Sequence, residues 1–423
     1  MVNLSTSDSR YDRTILLSQP VLSRTYSRPN WAEVARSALR HNFRALQKHV
    51  GPGVTICSVV KCDAYGHGYA ECARVIEAEG GQWFGVTSTD EGVALREAGI
   101  TGRVLILVGA WRGEEEDVLH YSLTPALSRI GELETFARAA QRIGFARRVA
   151  VHLKVDTGMS RLGLPMPELE SFAEELRQTP EIDLEGVFSH LASSEVLDDP
   201  GTENQIRHFD EVLRVLKQNG VDPPIRHLAN SSAAIGRPES WHNFVRPGLA
   251  IYGYELPQIK RHGSSSAAAK SLDLQPVLQW KTRVISLRDV PAGQALGYGG
   301  TYITSAAARI AVIAAGYGDG YSRKNSYPRN GANALHANGP SGELRSSVLI
   351  RGQRAPVVGR VSMDLTSIDV SRVVGCEIGD EVVLIGRSGD EQITASDLAR
   401  WSETLPYEVL CNLSERVLRR YVD

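Results

Sequence analysis

The sequence predicts an α/β fold, a (β/α)8 TIM-like barrel followed by a mainly β C-terminal domain, on three observations. Eight short, β-branched apolar runs between residues 54 and 251 alternate with amphipathic segments. That is how parallel strands buried on both faces, joined by crossover helices, are written in a sequence. A tract of small and polar residues from His262 to Ala269 then breaks the alternation. Beyond it, strand-like segments follow one another without long helices between them. An open doubly wound sheet is the rival arrangement for the first half.

Residues 1–27 are rich in Ser, Thr and Arg, and their apolar patches are broken by Gln19-Pro20. They read as an extension rather than a secretory signal, which needs a basic start and a continuous apolar segment. After Pro29, Asn30 is expected to cap a helix that sets Val34, Ala35, Leu39, Phe43 and Leu46 near one face. Barrel strands are expected at 54–60, 83–87, 104–108, 123–127, 149–155, 184–189, 226–230 and 245–251. Helices are expected at 69–79, 90–98, 129–143, 168–177 and 203–218. The second half offers strands at 277–287, 309–315, 347–350, 355–358, 366–370 and 381–385, and a helix at 395–403 capped by Thr394. The domains so defined are 28–262 and 263–423.

A chain of 423 residues, 42% hydrophobic and 23% charged, has ample material for such cores. A net charge of −2 gives no electrostatic reason to expect nucleic acid or an anionic membrane. Five cysteines without a C-x-x-C pair argue for a reducing compartment and against a zinc site. No apolar run approaches the roughly 20 residues of a membrane span, and a cytoplasmic location is expected.

A barrel displays its functional residues at the C-terminal ends of its strands. The first strand ends at Lys61, in Val60-Lys61-Cys62-Asp63-Ala64-Tyr65-Gly66-His67-Gly68. A lysine at the rim of a buried strand loses its charge readily, and its neutral amine can form a Schiff base. The plainer reading is a solvated strand end. The fifth strand leads from Lys154 to Arg161, the sixth to Ser189-His190, the seventh to Asn230-Ser231 and the eighth to Arg246-Pro247-Gly248. The last two turns can hold a phosphate, so an amine beside a phosphate site points to pyridoxal phosphate. No phosphate-binding nucleotide loop is present, and Gly316-Tyr317-Gly318-Asp319-Gly320 reads as a tight turn. Lys154 alternates in phase with His152 and Asp156, on the face opposite Val151, Leu153 and Val155. An unpaired ammonium would be costly if that face lines the barrel.

Together with Gly297-Tyr298-Gly299, Gly359-Arg360-Val361-Ser362-Met363-Asp364 and Pro406-Tyr407-Glu408, these motifs resemble the alanine racemase family, in order from about residue 30 to the C-terminus. The resemblance implies a pyridoxal 5′-phosphate enzyme that interconverts L- and D-alanine, supplying D-alanine for peptidoglycan. It implies that Lys61 holds the cofactor. Tyr65, Ser231, the backbone of Gly248 and Leu249, and Tyr407 would bind the phosphate, with His190 and Asn230 among the cofactor's neighbours. Arg246 would face the pyridine nitrogen and Arg161 the phenolic oxygen. Arg161 and the main-chain N–H of Met363 would meet the substrate. Tyr298 would be the second acid/base, reaching in from the partner of a head-to-tail homodimer with shared sites. Tyr317 and Tyr407 would narrow the entrance, and Lys154 would carry a carbamate. No metal is implied. Position 362 is Ser where many of the family carry Cys.

Racemisation fits these residues on chemical grounds. A proton leaves Cα from one face and another arrives on the opposite face, so two proton-handling groups must flank the carbon. Lys61 is one candidate and Tyr298 the other. A tyrosine needs cationic help to act as a base at neutral pH, which a Tyr298–His190–Arg246 chain could supply. Arg246 keeps its own proton, so a ring nitrogen facing it stays unprotonated. Plainer readings stand beside each: His190 as a core histidine, Tyr298 as a turn aromatic, Arg246 as a surface ion-pair partner. The nearest rival is a pyridoxal-phosphate amino-acid decarboxylase, which sets a carboxylate against the ring nitrogen where this chain has Arg246. A broader-specificity racemase differs only in pocket volume. A non-catalytic pyridoxal-phosphate-binding barrel would do without the second domain.

Overall fold

The computed structural model describes residues 28–256, 259, 272–327 and 346–423. The expected extension 1–27 and the 262–269 tract lie outside the described residues. Eight parallel strands lie side by side in the order Phe244–Val245, Thr55–Val59, Trp83–Val86, Arg103–Ile106, Thr124–Leu127, Val149–Asp156, Ile182–Phe188, Ile225–His227. The two ends meet: Arg246 N–H donates to Ala229 O at 3.0 Å, and Arg226 N–H to Asn243 Oδ1 at 2.9 Å. An open doubly wound sheet would hold those strands apart, so the barrel is the fold.

Why these segments form strands is visible in their burial. Ile56, Cys57 and Val59, and likewise Val104, Leu105 and Ile106, are shielded from solvent, as strands covered on both faces must be. The surrounding helices bury one stripe each. Pro200–Gln218 starts where the Asp199 side chain accepts from Thr202 N–H at 2.9 Å, with Pro200 in its first turn, and packs Phe209, Val212 and Leu216 inward.

The expected long last strand 245–251 is shorter. It stops after Phe244–Val245, and a 3-10 turn, Leu249–Tyr252, follows. Pro247 has no N–H to give to a ladder, and the turn brings Gly248 against the site.

The second domain is antiparallel. Leu278–Val290, Ala308–Ile313, Thr366–Asp369, Gln353–Val358, Ser347–Ile350 and Glu381–Ser388 pair in that order, and the last pairs back with the first. Helix Ala395–Ser402 begins at Thr394 as expected, in a reciprocal cap with Asp397: Asp397 N–H donates to Thr394 Oγ1 at 3.1 Å and Thr394 N–H to Asp397 Oδ2 at 2.8 Å.

Asn30 caps no helix. Asn30–Ala35 is a strand, antiparallel to Leu278–Val290 and parallel to Leu418–Val422, and the helix runs from Arg36 to Val50. Asn30 is buried and accepts the Trp280 indole N–H at 2.7 Å. Long-range pairing overrides the helical spacing that Val34 and Ala35 share with Leu39 and Phe43.

Candidate active site

Lys61 follows the first barrel strand and opens a turn, Lys61–Gly66, of unusual hand. Cys62, Asp63, Ala64 and Tyr65 all have φ between 52° and 54°. Left-handed backbone costs roughly 1–2 kcal/mol per residue for L-amino acids, so the surroundings must hold it. Ala64 N–H donates to Val60 O at 2.9 Å, Cys62 N–H to Glu91 Oε1 at 2.6 Å, and Tyr69 N–H to Asp63 Oδ1 at 2.9 Å. Buried His67 sets Nδ1 2.9 Å from both Ala64 O and Tyr65 O. At Gly66 a Cβ would fall 2.2 Å from Leu410 O, so the turn presses on helix Pro406–Cys411.

That contact brings Tyr407 to a cavity of about 640 Å³ at the barrel rim. Its lining includes Lys61, Tyr65, Lys154, Arg161, His190, Asn230, Ser231, Arg246, Gly248 and Tyr407, gathered from strands far apart in sequence. Four cationic side chains border it and no carboxylate does among the described residues. At Gly248 a Cβ would lie 2.3 Å from the Tyr65 hydroxyl, so only glycine fits there. Ser231 Oγ accepts Gly248 N–H at 2.8 Å, which sets a serine hydroxyl, a phenol and a backbone turn around one point. Leu249 follows at the start of the 3-10 turn. Asn230 caps the short helix Ser231–Gly236, its Oδ1 accepting Ala233 N–H at 3.1 Å and the Ser194 hydroxyl at 2.8 Å.

Arg246 lies at the cavity floor, buried and tightly held. It donates to Ser189 O at 2.7 Å and to Leu228 O at 3.2 Å, stands 3.5 Å from His190 Nδ1, and lies 5.1 Å above the Phe188 ring. Burial lowers its pKa to about 10, still far above neutrality. Burial, then Arg246, Arg161, Lys154 and Lys61, pushes His190 down to about 3, so its ring is neutral. A guanidinium can only donate, so its approach to Nδ1 favours the His190 proton on Nε2. Arg246 is thus no surface ion-pair partner.

Lys154 points into the barrel with His152. Its ammonium donates to Leu107 O at 3.1 Å and lies 5.4 Å from the Phe188 ring centre. No carboxylate pairs with it among the described residues. Burial first, and then Arg246, Arg161 and Lys61, lowers its pKa to about 8.

Tyr298, Tyr317 and Met363 do not reach this cavity within their own chain. They are 69%, 43% and 53% exposed on the C-terminal domain. The 359–364 segment ties them together: Tyr317 N–H donates to Ser362 O at 3.0 Å, Gly318 N–H to Met363 O at 2.9 Å, and a Cβ at Gly297 would lie 3.2 Å from Arg360 N. The glycine-rich stretch around Tyr317 is the expected tight turn, with Asp319 Oδ2 accepting Gly316 N–H at 2.9 Å. Sequence reasoning missed Phe188, whose ring underlies two cations, and His227, on which Arg246 rests at 2.9 Å. The run Arg226-His227-Leu228, in a predicted barrel strand, was the available signal.

Comparison with known proteins agrees with this geometry. Residues 34–256 match the alanine racemase N-terminal domain and residues 277–421 the alanine racemase C-terminal domain. The alanine racemase of Symbiobacterium thermophilum is 40% identical over 395 residues, covering 93% of this chain and 97% of that one. That of Halothermothrix orenii is 36% identical over 95% of this chain and 98% of its own. The crystal structure of alanine racemase from D-cycloserine-producing Streptomyces lavendulae superposes with a TM-score of 0.82 at 30% identity, covering 94% of this chain and 97% of that chain. That from E. faecalis gives 0.81 at 31% identity, covering 94% and 99%. An isomerase acting on an amino acid is what such a chain must be, and it belongs to the alanine racemase family.

Proposed function

We propose that the protein interconverts L- and D-alanine with pyridoxal 5′-phosphate held on Lys61, in a homodimer whose partner completes each site. The observation that carries this reading is the cavity itself: a Tyr65–Ser231–Gly248 cradle, four lysine and arginine side chains that include the strand-end amine of Lys61, and no acid among the described residues. Such a donor set fits a dianionic phosphate and a substrate carboxylate. The division into residues 28–262, which supply most of the cofactor's contacts, and 263–423, which add Tyr407 and reach the partner, is part of the proposal.

When bound, the cofactor supplies an electron sink that acidifies the substrate Cα–H. The chain's own groups do the rest. Tyr65, Ser231 and Tyr407, with the backbone at Gly248 and Leu249, anchor the phosphate, with Asn230 beside them. Arg246 would face the pyridine nitrogen and withhold its proton from it. Arg161 would face the phenolic oxygen and, with the main-chain N–H of Met363 of the partner subunit, would orient the substrate carboxylate. Lys61 Nζ handles the proton on one face of Cα. Tyr298 of the partner subunit handles it on the other, with the His190 Nε2–H as donor to its phenol oxygen. Tyr317 of the partner subunit and Tyr407 limit the entrance to a small side chain. Lys154 is read as a carbamate, because a buried amine near three cations gains by becoming an anion.

A spectrum of purified protein tests the assignment. A yellow band should vanish with borohydride, the label should map to Lys61, and L-alanine should yield D-alanine. Lys61→Ala should abolish the band and lower turnover by at least about 10⁴-fold. A label on another lysine would sink the reading. A supply of D-alanine to peptidoglycan from the cytoplasm is supported by the family alone. It would show as D-alanine dependence of a deletion strain. Among the described residues no helix is long and apolar enough to cross a membrane.

A further inference from the structure

Below Arg246 a line of buried polar groups runs down the barrel interior. Arg246 Nη1 is 2.9 Å from His227 Nδ1, and His227 Nε2 is 2.8 Å from His152 Nδ1. His152 Nε2 faces Glu185 Oε2 at 3.6 Å and has no hydrogen-bond partner among the described residues. Glu185 is gripped by the Arg103 fork at 2.8 and 2.6 Å. Both histidines are fully buried.

Read from Arg246 downward, donor rules give one consistent order of protons along this line. A guanidinium can only donate, so His227 Nδ1 accepts and its proton sits on Nε2. That N–H faces His152 Nδ1, which must accept in turn. The His152 proton is then on Nε2, aimed at Glu185. Burial above all keeps both imidazoles neutral. Burial works against the charge on Glu185, but His152 and Arg103 hold its carboxyl down at about 2. The space is made to measure: a Cβ at Gly186 would fall 2.5 Å from His152 Nδ1, and Phe188 stacks on His227 at 4.6 Å.

We propose that Glu185 is a positioning residue for Arg246, fixing the tautomers of His152 and His227 and so the face of the guanidinium turned to the cofactor ring. The inference rests on the reading of Arg246 given above. Without the carboxylate, the Nε2–H of buried His152 faces no acceptor, and that cost competes with the order imposed from Arg246. Relieving it by moving both protons to Nδ1 would set two donors against each other at Arg246. The 2.9 Å bond could not survive that.

The test is histidine-ring ¹⁵N NMR on the cofactor-loaded protein, alongside kinetics, for wild type, Glu185→Gln and Arg103→Gln. In Glu185→Gln the Arg103 fork claims the one remaining oxygen and leaves the amide NH₂ toward His152. The wild type should show unprotonated Nδ1 on His152 and His227. Glu185→Gln should reverse or mix both tautomers, lower kcat roughly 10- to 100-fold with little change in KM, and raise the number of cofactors converted to the amine form per turnover. Arg103→Gln loses more contacts but keeps the carboxylate, so tautomers and most of kcat should persist. Nδ1–H on either ring in the wild type, unchanged tautomers in Glu185→Gln, or identical behaviour of the two variants would overturn the proposal. Should Glu185→Gln not fold, Gly186→Ala displaces His152 with the charge intact; it should lower kcat on the same scale, and unaltered kcat would count against the idea. Absence of racemisation by wild type with the tautomers as described sinks the proposed function and leaves this line of protons standing.

Discussion

Around Arg246 the protein holds its polar groups with its own chain: backbone carbonyls, two histidines and a stacked phenylalanine fix one guanidinium from several sides. Around Tyr298, Tyr317 and Met363 it does the reverse. Their backbones are tied into tight turns while their side chains face outward, with no side-chain hydrogen bond among the described residues. The contrast separates two ways of making a site precise. One preorganises by burial; the other offers a rigid turn and leaves the last contacts to another surface.

The contrast breaks most visibly at Tyr298. Tyr298→Phe should lower turnover by roughly 10²- to 10⁴-fold, the worth of a positioned acid/base. Exchange of the alanine α-proton with solvent should survive from one enantiomer and nearly vanish from the other; equal loss from both would remove the second base. Mixing inactive Lys61→Ala with Tyr298→Phe protein sharpens the point. Random dimers would place two intact groups in one site of each heterodimer, and about a quarter of wild-type activity should return. No recovery would mean that Tyr298 serves its own chain.

Lys154 probes the buried side by pH. Its pKa is lowered in the fold to about 8, against an ordinary 10.5 when unfolded. A bare ammonium therefore costs stability in full below pH 8, and the cost fades as pH rises from 8 toward 10.5. Lys154→Met should then raise the urea midpoint at neutral pH, with the gain shrinking above pH 8. A carbamate reverses the sign at neutral pH, because the substitution then removes an anion from among cations. The smallest effect belongs to the exposed side. Ser362 closes its turn with bonds to Leu365 O at 2.8 Å and from Leu365 N–H at 3.1 Å. Ser362→Cys should change kcat/KM by less than about twofold, since the contact assigned to the substrate is the next residue's main chain.

The sequence shows the barrel strands well because burial on both faces writes them as continuous β-branched runs, as at Val54–Val60. It hides the strand Asn30–Ala35, whose partners lie some hundreds of residues away and whose apolar spacing also suits a helix. The left-handed turn at Cys62–Tyr65 is equally hidden, since the four residues that adopt it are not glycines and its start is held by Glu91, 29 residues along the chain. Lys61, Arg246 and the phosphate cradle are legible as polar residues at strand ends. Glu185 is not, and His227 shows only as a polar residue inside a predicted strand, because a buried polar residue within a strand looks like a packing detail until its neighbours across the barrel are known.

The strand Asn30–Ala35 ties the two domains in a way that a boundary drawn along the sequence conceals. It opens the chain segment that becomes the barrel, yet it is sandwiched between Leu278–Val290 and Leu418–Val422. A fragment cut near residue 262 would carry Trp31, Ala32 and Val34 into solvent along two unpaired edges. Such an excised barrel should be sticky and poorly soluble, and trimming it to begin at Arg36 should cure much of that.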